Sequence, residues 1–130
     1  MSDTVADEMK SGITGPRITI RKSIFIGTFV PVNDAQEAKE CVKKMKKSDR
    51  KARHVAFAFR IGTNPVVEGM SDDGEPRHTA GLPLLNLLRQ RDLTDILIAV
   101  TRYWGGIKLG PGNLMRAYTS AASAVLDRKT

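Results

Sequence analysis

The sequence predicts an α+β domain in which a single sheet has helices packed on it, in the order β-β-α-β-β-α-β-α. Three patterns predict it. β-Branched and aromatic residues mostly alternate along 17–30 and along 54–61, apolar residues recur three and four apart along 35–45, and Ile96-Leu97-Ile98-Ala99-Val100 is an unbroken apolar run. At 130 residues the chain has the length of one domain, enough to bury roughly two thirds of the surface its unfolded form exposes. No internal repeat and no linker divides it.

Residues 1–16 are polar, contain Ser11-Gly12 and Gly15-Pro16, and show no sustained period. They are expected to form a flexible tail, with the domain proper over 17–130. Ile18, Ile20, Ile24, Ile26, Phe29 and Val30 then mark two short strands, or one bent strand, interrupted at Arg21-Lys22-Ser23. Asp34 is an N-cap with Glu37 placed to complete a capping box. Behind it Ala35, Ala38, Cys41, Val42 and Met45 share one helix side while Lys39, Lys43, Lys46 and Lys47 take the other. Cys41 thus falls in the apolar stripe as a small buried residue. Val55, Phe57, Phe59 and Ile61 line one face of a strand that Gly62-Thr63-Asn64-Pro65 turns back towards Val66 and Val67 as a hairpin. Pro83 pre-sets the first turn of a helix carrying Leu84, Leu85, Leu87 and Leu88, which ends near Arg91-Asp92. The run 96–100 reads as a strand buried on both sides. A last helix runs from about Asn113 to Asp127, with Leu114, Tyr118, Ala121, Ala122 and Val125 inward.

No stretch approaches the ~20 apolar residues of a membrane span. The acidic start Met1–Glu8 has no apolar signal region behind it. A lone cysteine makes neither a disulfide nor a cysteine-rich zinc site. A soluble, cytoplasmic protein without membrane partners is the expectation. The net charge is +7, and between Lys39 and Arg53 eight basic residues face two acidic ones. Such concentration attracts polyanions through counterion release. Lys39, Lys43, Lys46, Lys47 and Arg50 are the expected basic surface, the alternative being a merely solvated helix side.

Two loops could carry chemistry. Ser71–Gly81 holds Asp72, Asp73, Glu75 and His78, whose carboxylates repel one another unless something neutralises them. A metal or acid/base site is one reading, although the spacing matches neither a calcium loop nor a zinc helix. The other reading is structural, with these side chains closing turns and capping the next helix. Thr101–Gly112 follows the buried strand and feeds the last helix. Its four glycines, Gly105, Gly106, Gly110 and Gly112, allow close backbone approach, and the helix N-terminus at Asn113 favours an anion. Arg102, Lys108 and Arg116 could add charge there, making phosphate or a nucleic-acid backbone the natural guest. Alternatively, Arg102 and Lys108 pair with the acidic loop. The loop is neither a Walker loop nor a dinucleotide fingerprint. Tyr103-Trp104 holds the sole tryptophan, a base-stacking residue if exposed and core if not. Aromatic residues do not interleave the basic stretch 39–53, which argues against a dedicated single-strand binder. His54, opening a strand, reads as structural.

Together the two loops resemble the signature of the IMPACT/YigZ family, Ser-Asp-Asp-Gly-Glu-Pro-x-x-Thr-Ala-Gly and then Thr-Arg-Tyr-aromatic-Gly-Gly-x-x-Leu-Gly. Here they stand as Ser71–Gly81 and Thr101–Gly110, followed by Arg116-Ala117-Tyr118. Lys22-Ser23 with Phe25, and His54 with Arg60-Ile61-Gly62, extend the likeness over roughly 17–127. Arg77-His78 replaces a usual Ser-Gly pair, and Pro111 and Asn113 replace small residues. The resemblance implies a fold like the second domain of ribosomal protein S-five and domain four of elongation factor G. It implies no catalytic residue and no cofactor, and for eukaryotic members a role in restraining a translation-regulating kinase. The chain reads as a stand-alone domain, without the further domains of bacterial or eukaryotic members.

The expected function is therefore non-catalytic binding of RNA or a ribosome-associated protein in translation regulation. The alternative is an enzyme acting on a phosphate-containing substrate, with or without a metal, through loops 71–78 and 104–112.

Overall fold

The computed structural model describes residues 12–128. Its elements are β1 (Ile13–Ile20), β2 (Ser23–Pro31), α1 (Ala35–Ser48), β3 (His54–Ile61), β4 (Val67–Ser71), α2 (Gly81–Gln90), β5 (Ile96–Tyr103) and α3 (Pro111–Asp127). One five-stranded sheet has the order β1-β2-β5-β3-β4, and every pairing is antiparallel. The unbroken apolar run is its centre, because β5 pairs β2 on one side and β3 on the other.

Alternation along β5 splits the core in two. Leu97 and Ala99 join Val30, Val55, Phe59 and the α1 residues Ala38 and Val42 on one face. Ile96, Ile98 and Val100 join Phe25, Phe29 and the inward sides of α2 and α3 on the other. Helices therefore cover both faces. Cys41 is half-buried against the α1-side cluster, and burial, more than the nearby Glu37 and Glu40 charges, raises its thiol pKa. The cap at Asp34 is made, its carboxylate accepting the Glu37 N–H at 2.7 Å. The Glu37 side chain returns to the N–H of Asn33, one residue before the cap, at 2.7 Å.

Ordered structure starts earlier than expected, at β1 rather than near Arg17. Ile13 pairs with Phe29 and Thr14 with Thr28, and the register then shifts before Arg17 pairs with Ile26. Gly15-Pro16 lie in that irregularity, so these turn-forming residues mark a bulge within a strand and not a tail. Of the expected tail, residues 1–11 lie outside the described residues. The interruption at Arg21-Lys22 is a two-residue hairpin loop, with φ of 48° and 69°. Both residues take the left-handed backbone that suits the strand twist, without the usual Asn or Gly to advertise it.

Candidate functional site

Strand register brings three elements together at one end of the sheet. Phe25, just inside β2, and His54, the first residue of β3, both lie opposite Arg102, the second-last residue of β5. Arg102 alternates onto the face covered by α2 and α3, where it is 3% exposed. One guanidinium nitrogen donates to both Glu75 oxygens at 2.9 and 2.8 Å, and two others approach Ser23 Oγ at 3.4 and 3.3 Å. Glu75 also accepts the Tyr118 hydroxyl at 2.5 Å. His54 Nε2 stands 3.6 Å from Glu75, and its Nδ1 lies 2.7 Å from the Asp73 carbonyl. Burial, then the hydrogen bond to Glu75 and its charge, push the Tyr118 phenol far above its ordinary range, so it remains an O–H donor. Four elements and the acidic loop are tied here by one buried ion pair.

The rest of the acidic loop is equally committed. Asp72 accepts three backbone N–H groups, from His78 at 2.9 Å, Ala80 at 3.2 Å and Gly81 at 2.8 Å. It thereby closes the N-terminus of α2 from outside the helix. Burial pushes its carboxyl pKa up, but those donors outweigh burial and hold it below the usual carboxylate range. Asp73 accepts the Val55 N–H at 2.7 Å and the Lys46 ammonium at 2.6 Å. His78 is exposed, with a left-handed backbone at φ 65°. Among the described residues no cluster of three or more His, Cys, Asp or Glu side chains is placed to hold a metal ion. The loop Asp72, Asp73, Glu75 clasps the fold.

The glycine loop differs. At Gly105 a Cβ would stand 2.2 Å from the Lys22 carbonyl carbon, so only glycine lets the loop lie against the β1–β2 turn. Its N–H donates to Ser23 Oγ at 3.1 Å. Gly110, at φ 82°, caps α3, with Pro111 in the first turn; no side chain caps the helix and no acidic residue occupies its first turn. Asn113 Nδ2 donates back to the Leu109 carbonyl at 3.0 Å. Arg116 donates to Asn113 Oδ1 at 2.7 Å, and its guanidinium lies over Gly112, 3.6 Å from where a Cβ would stand. A cation thus rests against the positive pole of α3, while Gly106, Lys108, Gly110 and Gly112 are exposed nearby.

Arg102 is therefore not in this exposed set, a correction to its expected role beside Lys108. The alternative that it pairs with the acidic loop holds for Arg102, through Glu75 27 residues away, while Lys108 makes no such pair among the described residues. Ser23 and Tyr118 were also missed as polar partners. Tyr118 sits in the apolar stripe of α3, and only the need of a buried phenol for a partner could have flagged it.

Lys39, Lys43, Lys46, Lys47 and Arg50 are all exposed. Apart from the Lys46–Asp73 pair, none lies within ion-pair distance of a carboxylate among the described residues. Lys43, Lys46, Lys47 and Arg50 line a groove of about 620 Å³ with Ala52 and Val55 among its other walls. The end of α1 abuts the end of β5: Tyr103 donates to Asp49, and the Arg53 N–H donates to the Arg102 carbonyl at 2.8 Å. The basic stretch and the glycine loop so meet at one end of the sheet.

The family model for the Impact N-terminal domain matches residues 21–126. The IMPACT family member YvyE of Bacillus subtilis is 46% identical over 110 residues, covering 85% of this chain and 51% of that protein. Protein IMPACT-A of Xenopus tropicalis is 30% identical over 128 residues, covering 95% and 40%. A crystal structure of a protein described as hypothetical superposes with a TM-score of 0.85 at 33% identity, covering 92% of this chain and 59% of that one. The two-domain translational regulator Yih1 gives a TM-score of 0.62 at 28% identity, covering 93% and 48%. The chain thus spans about half the length of such relatives. By the matched model and the identity across most of its length, the chain belongs to the IMPACT family.

Proposed function

We propose that this chain is a non-catalytic binding domain that engages RNA in the regulation of translation. Its RNA backbone site is formed by Gly105, Gly106, Lys108, Gly110, Gly112, Asn113 and Arg116 at the start of α3, continued by the basic end of α1. One observation carries the reading: the first turn of α3 holds no carboxylate, and the Arg116 guanidinium lies over it. A cation placed there is unfavourable in the free protein and becomes favourable when a phosphate arrives. The regulatory part rests on the family and on Yih1, described as a translational regulator. The acidic loop offers little to the enzymatic alternative, since Asp72, Asp73 and Glu75 already bind groups of the protein itself.

Salt-dependent binding of a labelled RNA hairpin tests this. If about six phosphates are contacted, log affinity falls with log salt at a slope of about −5. Lys108→Glu with Arg116→Glu should flatten that slope more than Lys39→Glu does. No binding at low salt, or a flat salt response, would refute the reading.

A further inference from the structure

Trp104, the sole tryptophan, belongs to neither core cluster. It follows β5 directly and is 40% exposed. Two guanidiniums lie against its ring, Arg102 Cζ at 5.0 Å and Arg53 Cζ at 5.5 Å from the centroid. They are not equivalent. Arg102 is buried and bound to Glu75. Arg53 is exposed and within ion-pair distance of no carboxylate among the described residues.

The backbone bond from Arg53 to the Arg102 carbonyl fixes one side of this arrangement, and the bond from Gly105 to Ser23 fixes the other. The main chain on both sides of Trp104 is therefore pinned and buried Arg102 lies against the ring, while its other neighbour, Arg53, is a long flexible side chain at the surface. Exposed Lys108 lies four residues further on. The basic stretch lacks aromatic residues in sequence but acquires one in space, across the 51 positions that separate Arg53 from Trp104. A half-exposed indole beside cations that make no ion pair among the described residues is an arrangement on which a nucleobase stacks while its phosphate is neutralised.

We propose that Trp104 is a stacking platform for an unpaired RNA base, and that Arg53 leaves the ring to take the adjoining phosphate. The proposal rests on the RNA reading above and deepens it, because a base pair inside a duplex already has both faces covered by its neighbours. It makes this end of the sheet selective for single-stranded segments or loops.

The test uses three labelled RNAs of equal charge: a single strand, the same strand with abasic positions, and a blunt duplex. Trp104→Ala should weaken single-strand binding about tenfold or more, leave duplex binding unchanged, and remove the preference for the normal over the abasic strand. Trp104→Phe should recover much of that loss. Arg53→Ala should reduce the single-strand salt slope by about 0.7, the share of one phosphate. In the unaltered protein, which needs no variant to fold, Trp104 fluorescence should be quenched by the normal strand and not by the abasic one. Equal affinity of Trp104→Ala and the parent protein for the single strand, or fluorescence indifferent to the normal strand, would overturn the stacking role and leave the RNA reading intact. Failure of the parent protein to bind any of the three at low salt would overturn both.

Discussion

The two helices on one face of the sheet begin in opposite electrostatic states. The N-terminus of α2 is closed by Asp72, which takes up three N–H groups of the segment leading into the helix. The N-terminus of α3 is approached through a loop with four glycines, Thr101–Gly112, against two in Ser71–Gly81, and it has no capping side chain, no acidic first turn and an arginine folded over it. Both are attractive to anions in principle. At α2 the protein supplies the anion, and the loop becomes part of the fold. At α3 no first-turn carboxylate does so, and the proposed anion site rests on that difference.

The closed region can be broken most severely at its buried ion pair. Replacing Glu75 by alanine strands Arg102 and removes the acceptor of Tyr118, and a loss of about 3–5 kcal/mol is expected for an uncompensated buried charge. Urea unfolding measures it, and a loss below about 1 kcal/mol would show that the clasp is not structural. Asp72→Asn comes next, at about 1–3 kcal/mol for leaving backbone donors poorly matched. The folded pKa of Asp72 lies below its usual value, so its charge contributes stability above the unfolded value of about 4. That contribution fades as pH falls through the folded value. The stability gap between Asp72→Asn and the parent protein should therefore narrow progressively below about pH 4. Lys39→Glu marks the small end of the scale, with a stability change within about 0.5 kcal/mol. Its cost to RNA affinity should be smaller than that of Lys108→Glu, as anisotropy at fixed salt would show.

Much of the fold was legible because its signals are local. The alternation in 54–61 and the apolar run at 96–100 gave β3 and β5, and spacing of three and four gave α1 with its cap at Asp34. Gly15-Pro16 misled, since a bulge uses the same residues as a loop. The site was less legible because its decisive facts are long-range. Ser71–Gly81 could be metal-seeking or self-satisfied by composition alone; the contacts of Asp73 with Val55 and of Glu75 with Arg102 are long-range and leave no trace in it. Arg102 and Lys108 looked alike as cations flanking glycines, but strand alternation buries the first and the loop exposes the second. Trp104 reads as core or as exposed from composition alone, and the structure exposes it where β3 and β5 end together.

The most direct test closes α3 as α2 is closed. Gly112→Asp places a carboxylate in the first turn of α3, where an added Cβ meets only the guanidinium of Arg116. Relief of the glycine and complementation of the helix dipole should together stabilise the domain by about 1 kcal/mol. The account requires the same variant to melt higher and to bind the RNA hairpin at least tenfold more weakly at low salt. A variant that melts higher and binds RNA as tightly as the parent protein would contradict it.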